Sequence, residues 1–322
     1  MVLQDLSVLI IVYRRYDNLE SIIETCLINS VFNIYIAADI PKEGDFEAIE
    51  DSFKVAVVIE KYEKILGSRI KVWRRSENLG CAVSVLTACD WFFKQVTYGI
   101  ILEDDCLPTK HFFNYANEVR TVLSTNENVW LACGTQYAPL EIFEDSWILA
   151  RYPLNWGWIT NKDKWLEISS AIRNRKMKLN LINESQINLQ EAVYWNAGAR
   201  RAYQSQVDVW DTILVQKMIK NAKLAVLPNV PLVTNNGNDL IATNVNLESS
   251  WTNLQTFEFN KSIKQPIFSM IVTSWLRDNF FQILIRHLLT TQITFFLDFT
   301  IRRVKKQKNL LSRWVAIEIP GI

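Results

Sequence analysis

The chain has 322 residues, 49% of them hydrophobic, a formal net charge of +1 and twelve tryptophans. Length and apolar content suffice for one large packed domain with an appendage, and the near-zero charge excludes a bulk attraction to nucleic acid. Cys26, Cys81, Cys89, Cys106 and Cys133 form an odd set without a C-x-x-C pair, which fits reduced thiols in a cytoplasmic protein and offers neither a disulfide framework nor zinc-finger spacing. No basic leader with an apolar core opens the sequence and no run of about 20 apolar residues interrupts it, so neither a signal peptide nor a transmembrane helix is expected.

Residues 6–13 (LSVLIIVY) are a continuous apolar run rich in β-branched side chains, the pattern of a strand buried on both faces. Helical spacing follows over 17–30 through Leu19, Ile22, Ile23, Cys26 and Leu27. A strand over 33–38 ends at Asp39, Pro41 and Gly44 break the chain, and a charged helix over 45–66 stops at Gly67. A third strand is expected at 69–73, a turn at Asn78-Leu79-Gly80 and a helix over 82–95. A strand over 98–102 ends in Glu103-Asp104-Asp105, and a helix over 109–124 and a strand at 129–133 follow. This alternation predicts an α/β fold with a sheet parallel at its core. Ligands of such sheets gather at the carboxyl ends of the strands, where Asp39 and the acidic triplet both lie. Beyond residue 140 the alternation stops and aromatics become dense; a helix over 209–221 and short strands near 224–227 and 230–234 are expected.

Three adjacent carboxylates at a strand end repel one another, a cost that a cation or several hydrogen-bond donors would offset. A hard divalent ion, Mn²⁺ or Mg²⁺, takes oxygen ligands and commonly bridges carboxylate to substrate phosphates; a solvated acidic turn before the helix near Thr109 is the plainer alternative. No G-x-G-x-x-G or phosphate-loop motif is present, which argues against dinucleotide enzymes and P-loop NTPases.

The segment ILEDDCLPTKHFFNYANE resembles the metal-binding segment of GT-A fold glycosyltransferases, in particular the inverting N-acetylglucosaminyltransferase I type and bacterial family 2-like transferases. NLGCAVSVLTACDWFF, LNWGWITNKDKW and VDVWDTILVQKMIKNAKLAVLPNVPLVTNNG resemble three further segments of that family, in the same order. The resemblance implies a Rossmann-like, mostly parallel sheet flanked by helices: a catalytic domain over 1–245, with a nucleotide-sugar-binding half at 1–135 and an acceptor half at 136–245. It implies transfer of a sugar, with inversion, from a nucleotide-diphosphate donor, UDP in the first instance, to a hydroxyl acceptor on a glycan or lipid carrier, as in cell-surface polysaccharide assembly. Asp105 would be the direct metal ligand, Asp104 would touch the ribose or the metal's water shell, and Glu103 would bind the hydroxyls of the donor sugar. Asp39, Arg14 and Arg15 would contact the nucleotide, and Asn78 and Gly80 would lie beside the donor. Each of these also has a plainer role, as turn, cap or solvated loop.

Inverting transfer needs a carboxylate that takes the acceptor's proton. Asp208 and Asp211 in VDVWDT are the candidates; Asp211 follows Trp210 as the family's base follows its Trp, while Asp208 is also placed to cap a helix starting near 209. Trp156-Gly157-Trp158 offers indole faces to a sugar ring or, alternatively, an aromatic core pair around a turn. One departure stands out: Ile241 and Asn244 occupy the positions where bacterial relatives carry an Asp and a His, which leaves Asp239 to compensate or the activity altered. Two rivals follow, a sugar-phosphate nucleotidyltransferase and a non-catalytic binding or scaffold protein of the same fold. The former ordinarily shows a Gly-rich basic loop after the first strand, whereas YRRYDN has no glycine. The region 246–322 reads as helical and amphipathic, with Arg302, Arg303, Lys305, Lys306 and Lys308 after a run of large apolar residues. It suits an anionic membrane surface, with the protein peripheral on the inner face, and equally packing on the catalytic domain or in a homodimer.

Overall fold

The computed structural model describes residues 6–136, 147–174, 181, 182, 184, 187, 189–204 and 208–237, with backbone alone at 189 and 190. Asp239, Ile241, Asn244 and the region expected to be helical and amphipathic lie outside the described residues.

Strand β1 (Ser7–Val12) is buried at every position because it sits between two parallel neighbours, β2 (Asn33–Ala38) and β4 (Tyr98–Glu103). That placement is why its sequence does not alternate. Side chains on the two faces enter different layers. Val8, Ile10 and Val12 join Leu19, Ile22, Ile23 and Cys26 of α1 (Tyr16–Ile28) and Val55, Val58 and Ile59 of α2 (Phe46–Leu66) in one core. Each such fully buried side chain stabilises the fold by roughly 1.5–3 kcal/mol. Asp45 starts α2 by accepting from the Ala48 N–H at 3.0 Å, and β3 (Ile70–Arg74) continues the parallel set beside β2.

The other layer holds α3 (Cys81–Phe93), which touches β1 and, further on, α5 (Lys162–Arg173). After β4 the chain makes the short β5 (Cys106–Pro108), α4 (Lys110–Thr125) and β6 (Val129–Cys133). Then come β7 (Trp147–Ala150), β8 (Trp158–Asn161), α6 (Leu189–Tyr203), α7 (Asp211–Lys220), β9 (Leu224–Pro228) and β10 (Val233–Asn235). The main sheet has eight strands in the order β3-β2-β1-β4-β8-β6-β9-β7. Strands β1, β2, β3, β4, β6 and β9 share one direction, while β8 and β7 run against their neighbours. The fold is thus mixed α/β, with a mostly parallel, Rossmann-like sheet flanked by helices.

Strands β5 and β10 pair antiparallel as a separate two-stranded ribbon, Asn235 opposite Cys106. The ribbon brings the turn after β10 to the carboxyl end of β4. On the α3 side, Trp158 of β8 packs against Trp165 of α5 and Trp210 before α7, with centroids 5.9 and 5.5 Å away, and Trp165 stacks on Phe93. None of the five cysteines is disulfide-bonded. Among the described residues no helix is long and apolar enough to cross a membrane.

Candidate functional site

The acidic triplet divides its labour. Asp104 is buried, and its Oδ2 accepts from three successive backbone N–H groups after β1, those of Tyr13 (2.8 Å), Arg14 (3.1 Å) and Arg15 (3.2 Å). The Asn18 side-chain amide donates to its carbonyl at 2.8 Å, and the Arg15 guanidinium stands 3.7 Å from Oδ1. Asp104 is therefore the clasp that closes the β1–α1 loop over the end of β4. Of its two oxygens, Oδ2 is committed to that loop.

Asp105 points the other way, into the turn after β10. Its carbonyl accepts from the Asn236 N–H at 2.8 Å, its Oδ1 accepts from the Cys106 thiol at 3.2 Å, and the Asn235 side chain bonds its carboxylate as well. A Cβ at Gly237 would stand 2.5 Å from Asp105 Oδ2 and 2.8 Å from Asn235 Oδ1, so a larger residue there would displace those side chains. Burial, then Asp104, raises the Asp105 carboxyl; Cys106, Arg15 and Asn235 pull the other way. Glu103 is pushed well up by burial and by Asp105, Asp104 and Asp211, in that order. Asp211 thus reaches the cluster electrostatically from a segment more than a hundred residues on.

Asp39 is buried just after β2, where burial raises its carboxyl while Ile40 N–H (3.0 Å), Arg75, Ser84 and the Leu79 N–H oppose the rise. Arg75 is the partner that sequence reading missed. It is buried, donates to Thr87 Oγ1 (2.9 Å) and to the Ser84 carbonyl (2.7 Å), and lies 4.5 Å over the Trp73 ring. The signal was present in the Arg-Arg pair that ends VWRR. Arg14, by contrast, turns away from the strand ends and pairs with Asp51 at 2.9 Å and Glu47 at 3.4 Å on α2, while Arg15 faces the acidic cluster. Asn78 donates to the Ile40 carbonyl at 2.6 Å and accepts from the Gly80 N–H at 3.2 Å, tying the loops after β2 and β3 together.

Gly80 makes a close approach, but to Asp208. It holds φ +73°, and a Cβ there would collide with Asp208 Oδ2. With that space free, the Asp208 carboxylate accepts from the Cys81 N–H at 2.5 Å and the Ala82 N–H at 3.0 Å. Asp208 is a cap, as its residue type suggests, although of α3 and not of α7, which begins at Asp211 without a side-chain cap. Asp211 accepts from the Thr212 N–H at 2.6 Å and the Thr212 hydroxyl at 3.3 Å. Water reaches Asp211, yet the surrounding protein still raises its carboxyl through desolvation, against the Thr212 bonds. Cys81 sits amid the whole group: burial raises its thiol, and Glu103, Asp208, Asp211 and Asp105 add to the rise.

Trp158 is 1% exposed, a core ring, which favours the aromatic-core alternative over sugar stacking at that position. Trp156 is half-buried and remains the one indole of the pair that reaches the surface. Gly157 is buried under Val233 and Leu102, and its carbonyl accepts from the Gly134 N–H at 2.6 Å.

Among the described residues no three His, Cys, Asp or Glu side chains converge tightly enough to hold a metal alone. A site that takes one or two carboxylates and completes its shell with phosphate oxygens and water is still compatible with Mn²⁺ or Mg²⁺. The all-oxygen donors at Asp105, crowded by like charges, fit that type.

The sequence matches no protein-family profile and no curated protein. Solved structures overlap the chain only weakly. One is a Bacillus anthracis protein assigned as a glucose-1-phosphate thymidylyltransferase, in complex with sucrose: 12% identity, TM-score 0.32, covering 60% of this chain and 83% of that one. Another is the inositol-1-phosphate CTP transferase of T. maritima: 10% identity, TM-score 0.35, covering 70% and 86%. Overlaps of this depth assign no activity to the chain, and the fold class stands on strand order and direction.

Proposed function

We propose that the chain is a transferase acting on a nucleotide-diphosphate sugar, UDP-linked in the first instance, that passes the sugar to a hydroxyl of a glycan or lipid-linked acceptor. The observation that carries this reading is Glu103, the last residue of β4 at the carboxyl edge of parallel strands, whose carboxyl is pushed well up by burial and then by the charges of Asp105, Asp104 and Asp211. A cation there would offset that like-charge crowding. Asp105, beside the Asn235–Gly237 turn, would hold Mn²⁺ or Mg²⁺, which when bound neutralises charge on the diphosphate.

The chain's own residues do the rest. Asp39, with the charge of Arg75 nearby, would meet the ribose and the nucleobase. Glu103 would bind donor hydroxyls, and Arg15 adds positive charge beside the phosphates. The acceptor oxygen attacks the anomeric carbon as the carbon–oxygen bond to the diphosphate breaks. The electron pair leaves with the nucleotide diphosphate, and the acceptor proton passes to Asp211, which desolvation makes a stronger base than an ordinary carboxylate. Attack from the face opposite the leaving group inverts the anomeric centre. Asp104 organises the site by holding the β1–α1 loop.

The test is a panel of nucleotide sugars with Mn²⁺, read as nucleotide diphosphate released. The second reading, sugar-phosphate nucleotidyl transfer, is the kind of activity named for the two fold neighbours. It would instead release pyrophosphate from nucleoside triphosphate and sugar 1-phosphate. The committed Tyr13–Arg15 amides oppose it, since Asp104 already takes the N–H groups that a phosphate at that loop would use. No product in either assay would leave a non-catalytic binding protein. The membrane reading of the C-terminal region is checked by sedimentation with anionic liposomes, with release by salt as the expected result.

A further inference from the structure

The loop after β3 is bonded in two directions. Toward β2, the Leu79 N–H donates to Asp39, and the Asn78 side chain donates to the Ile40 carbonyl at 2.6 Å. Toward α7, the Cys81 and Ala82 N–H groups donate to the Asp208 carboxylate at 2.5 and 3.0 Å, three residues before Asp211. Between the two, Asn78 Oδ1 accepts from the Gly80 N–H at 3.2 Å. Hydrogen bonds and a short stretch of backbone thus join Asp39 to the segment that carries Asp211.

A helix is ordinarily capped by the side chain of the residue just before it. For α3 that residue is Gly80, which has no side chain to offer and whose missing Cβ makes room for the Asp208 carboxylate. The cap therefore also anchors the segment it comes from. Trp210, 4% exposed and 5.5 Å from the Trp158 ring, holds that segment on the side of β8. Asp208 holds it on the side of α3. Asp211 follows Trp210 directly and opens α7, which has no side-chain cap of its own. A single anchor at Trp210 leaves rotation about that ring; a second at Asp208 removes it. We infer that Asp208 is a positioning residue, which by bonding the first turn of α3 sets where the Asp211 carboxylate stands. That Asp211 is the base rests on the transferase reading; that Asp208 holds its segment rests on the bonds to α3 alone.

The first arm of the test needs no substrate. Amide hydrogen exchange of the full chain, read by mass spectrometry, is compared between wild type and Asp208→Asn. Asparagine keeps one acceptor oxygen and turns an amide donor toward the other N–H group. Faster exchange is expected in residues 81–84 and also in 211–216, which Asp208 reaches only through the chain. A rise confined to 81–84 makes Asp208 a cap of α3 and overturns the proposal. The second arm compares Asp208→Asn, Asp211→Asn and the double variant by nucleotide diphosphate released. Misplacing a reacting group by about 1 Å costs up to about 10²-fold. Asp208→Asn should therefore lower kcat by about 10–10²-fold with the KM for the donor little changed, and should cost nothing further once Asp211 is Asn, because the group it places is already gone. Effects of the two substitutions that multiply independently overturn the proposal. A chain that releases no nucleotide diphosphate yet shows the response in 211–216 keeps the anchor and overturns the base it would serve.

Discussion

Asp104 and Asp105 are neighbours of one residue type with opposite work. Asp104 satisfies three amides, and replacing it with Ala would leave buried donors without an acceptor, each costing on the order of 1–3 kcal/mol. Asp104→Ala should therefore lower stability by about 2–3 kcal/mol or more in denaturant titration. Asp105→Ala removes a carboxylate raised by burial and by Asp104, and should leave the stability of the metal-free protein equal or higher. The reverse order would exchange their roles. Asp211→Asn keeps shape and hydrogen bonding but cannot take a proton at neutral pH. Donor affinity should stay near normal while turnover falls about 10²–10⁴-fold; normal turnover would place the base elsewhere. Resemblance gave the three acids of the triplet separate ligand roles, but the clasp made by Asp104 was not legible, because it rests on amides some ninety residues upstream. Arg75 escaped notice for the same reason: an arginine after a strand is ordinary until it is buried against Ser84 and Thr87 with its charge near Asp39.

At the scale of elements, the first turn of α3 is held by a carboxylate 127 positions away. Gly80→Ala brings both an unfavourable backbone at φ +73° and a collision with Asp208, at a cost of about 1–3 kcal/mol. Asp208→Ala alone should cost about 0.5–2 kcal/mol, the worth of a helix cap. The double variant should cost less than the sum, because the collision partner is gone; strict additivity in a thermal unfolding cycle would contradict the contact. The elements from β1 to β4, and α4, were legible because buried parallel strands and amphipathic helices have distinct periods. The short antiparallel β7 and β8, four residues each, and the ribbon strand β5 were not. Runs so short carry no measurable period, and their aromatics fit strand, turn and core alike. Helix α6 was missed as well, and α5 was visible only through resemblance to other sequences.

For the molecule as a whole, the raised carboxyls of Asp39, Glu103, Asp105 and Asp211 act with one sign. Between the ordinary carboxylate values of 3.8 and 4.5 and their raised ones, the folded chain binds more protons than the unfolded chain. Their contribution to stability is thus complete below the ordinary values and is lost as pH rises through the raised ones. Glu63, lowered by Arg74, has the opposite sign, but its contribution is lost only below the ordinary value. The metal-free protein should accordingly melt at higher temperature as pH falls from neutrality toward the ordinary carboxylate values. Mn²⁺ should flatten that rise by favouring the ionised acids; a melting temperature that falls steadily over this interval would contradict the buried-acid account. The central claim, a divalent-cation site at Asp105 shared with a nucleotide diphosphate, is tested most directly by calorimetric titration of UDP into the full chain with and without Mn²⁺, in wild type and in Asp105→Ala. The expected result is UDP binding that requires Mn²⁺ in the wild type and is lost in a folded Asp105→Ala. UDP binding equally strong without metal, or unchanged in Asp105→Ala, would contradict it.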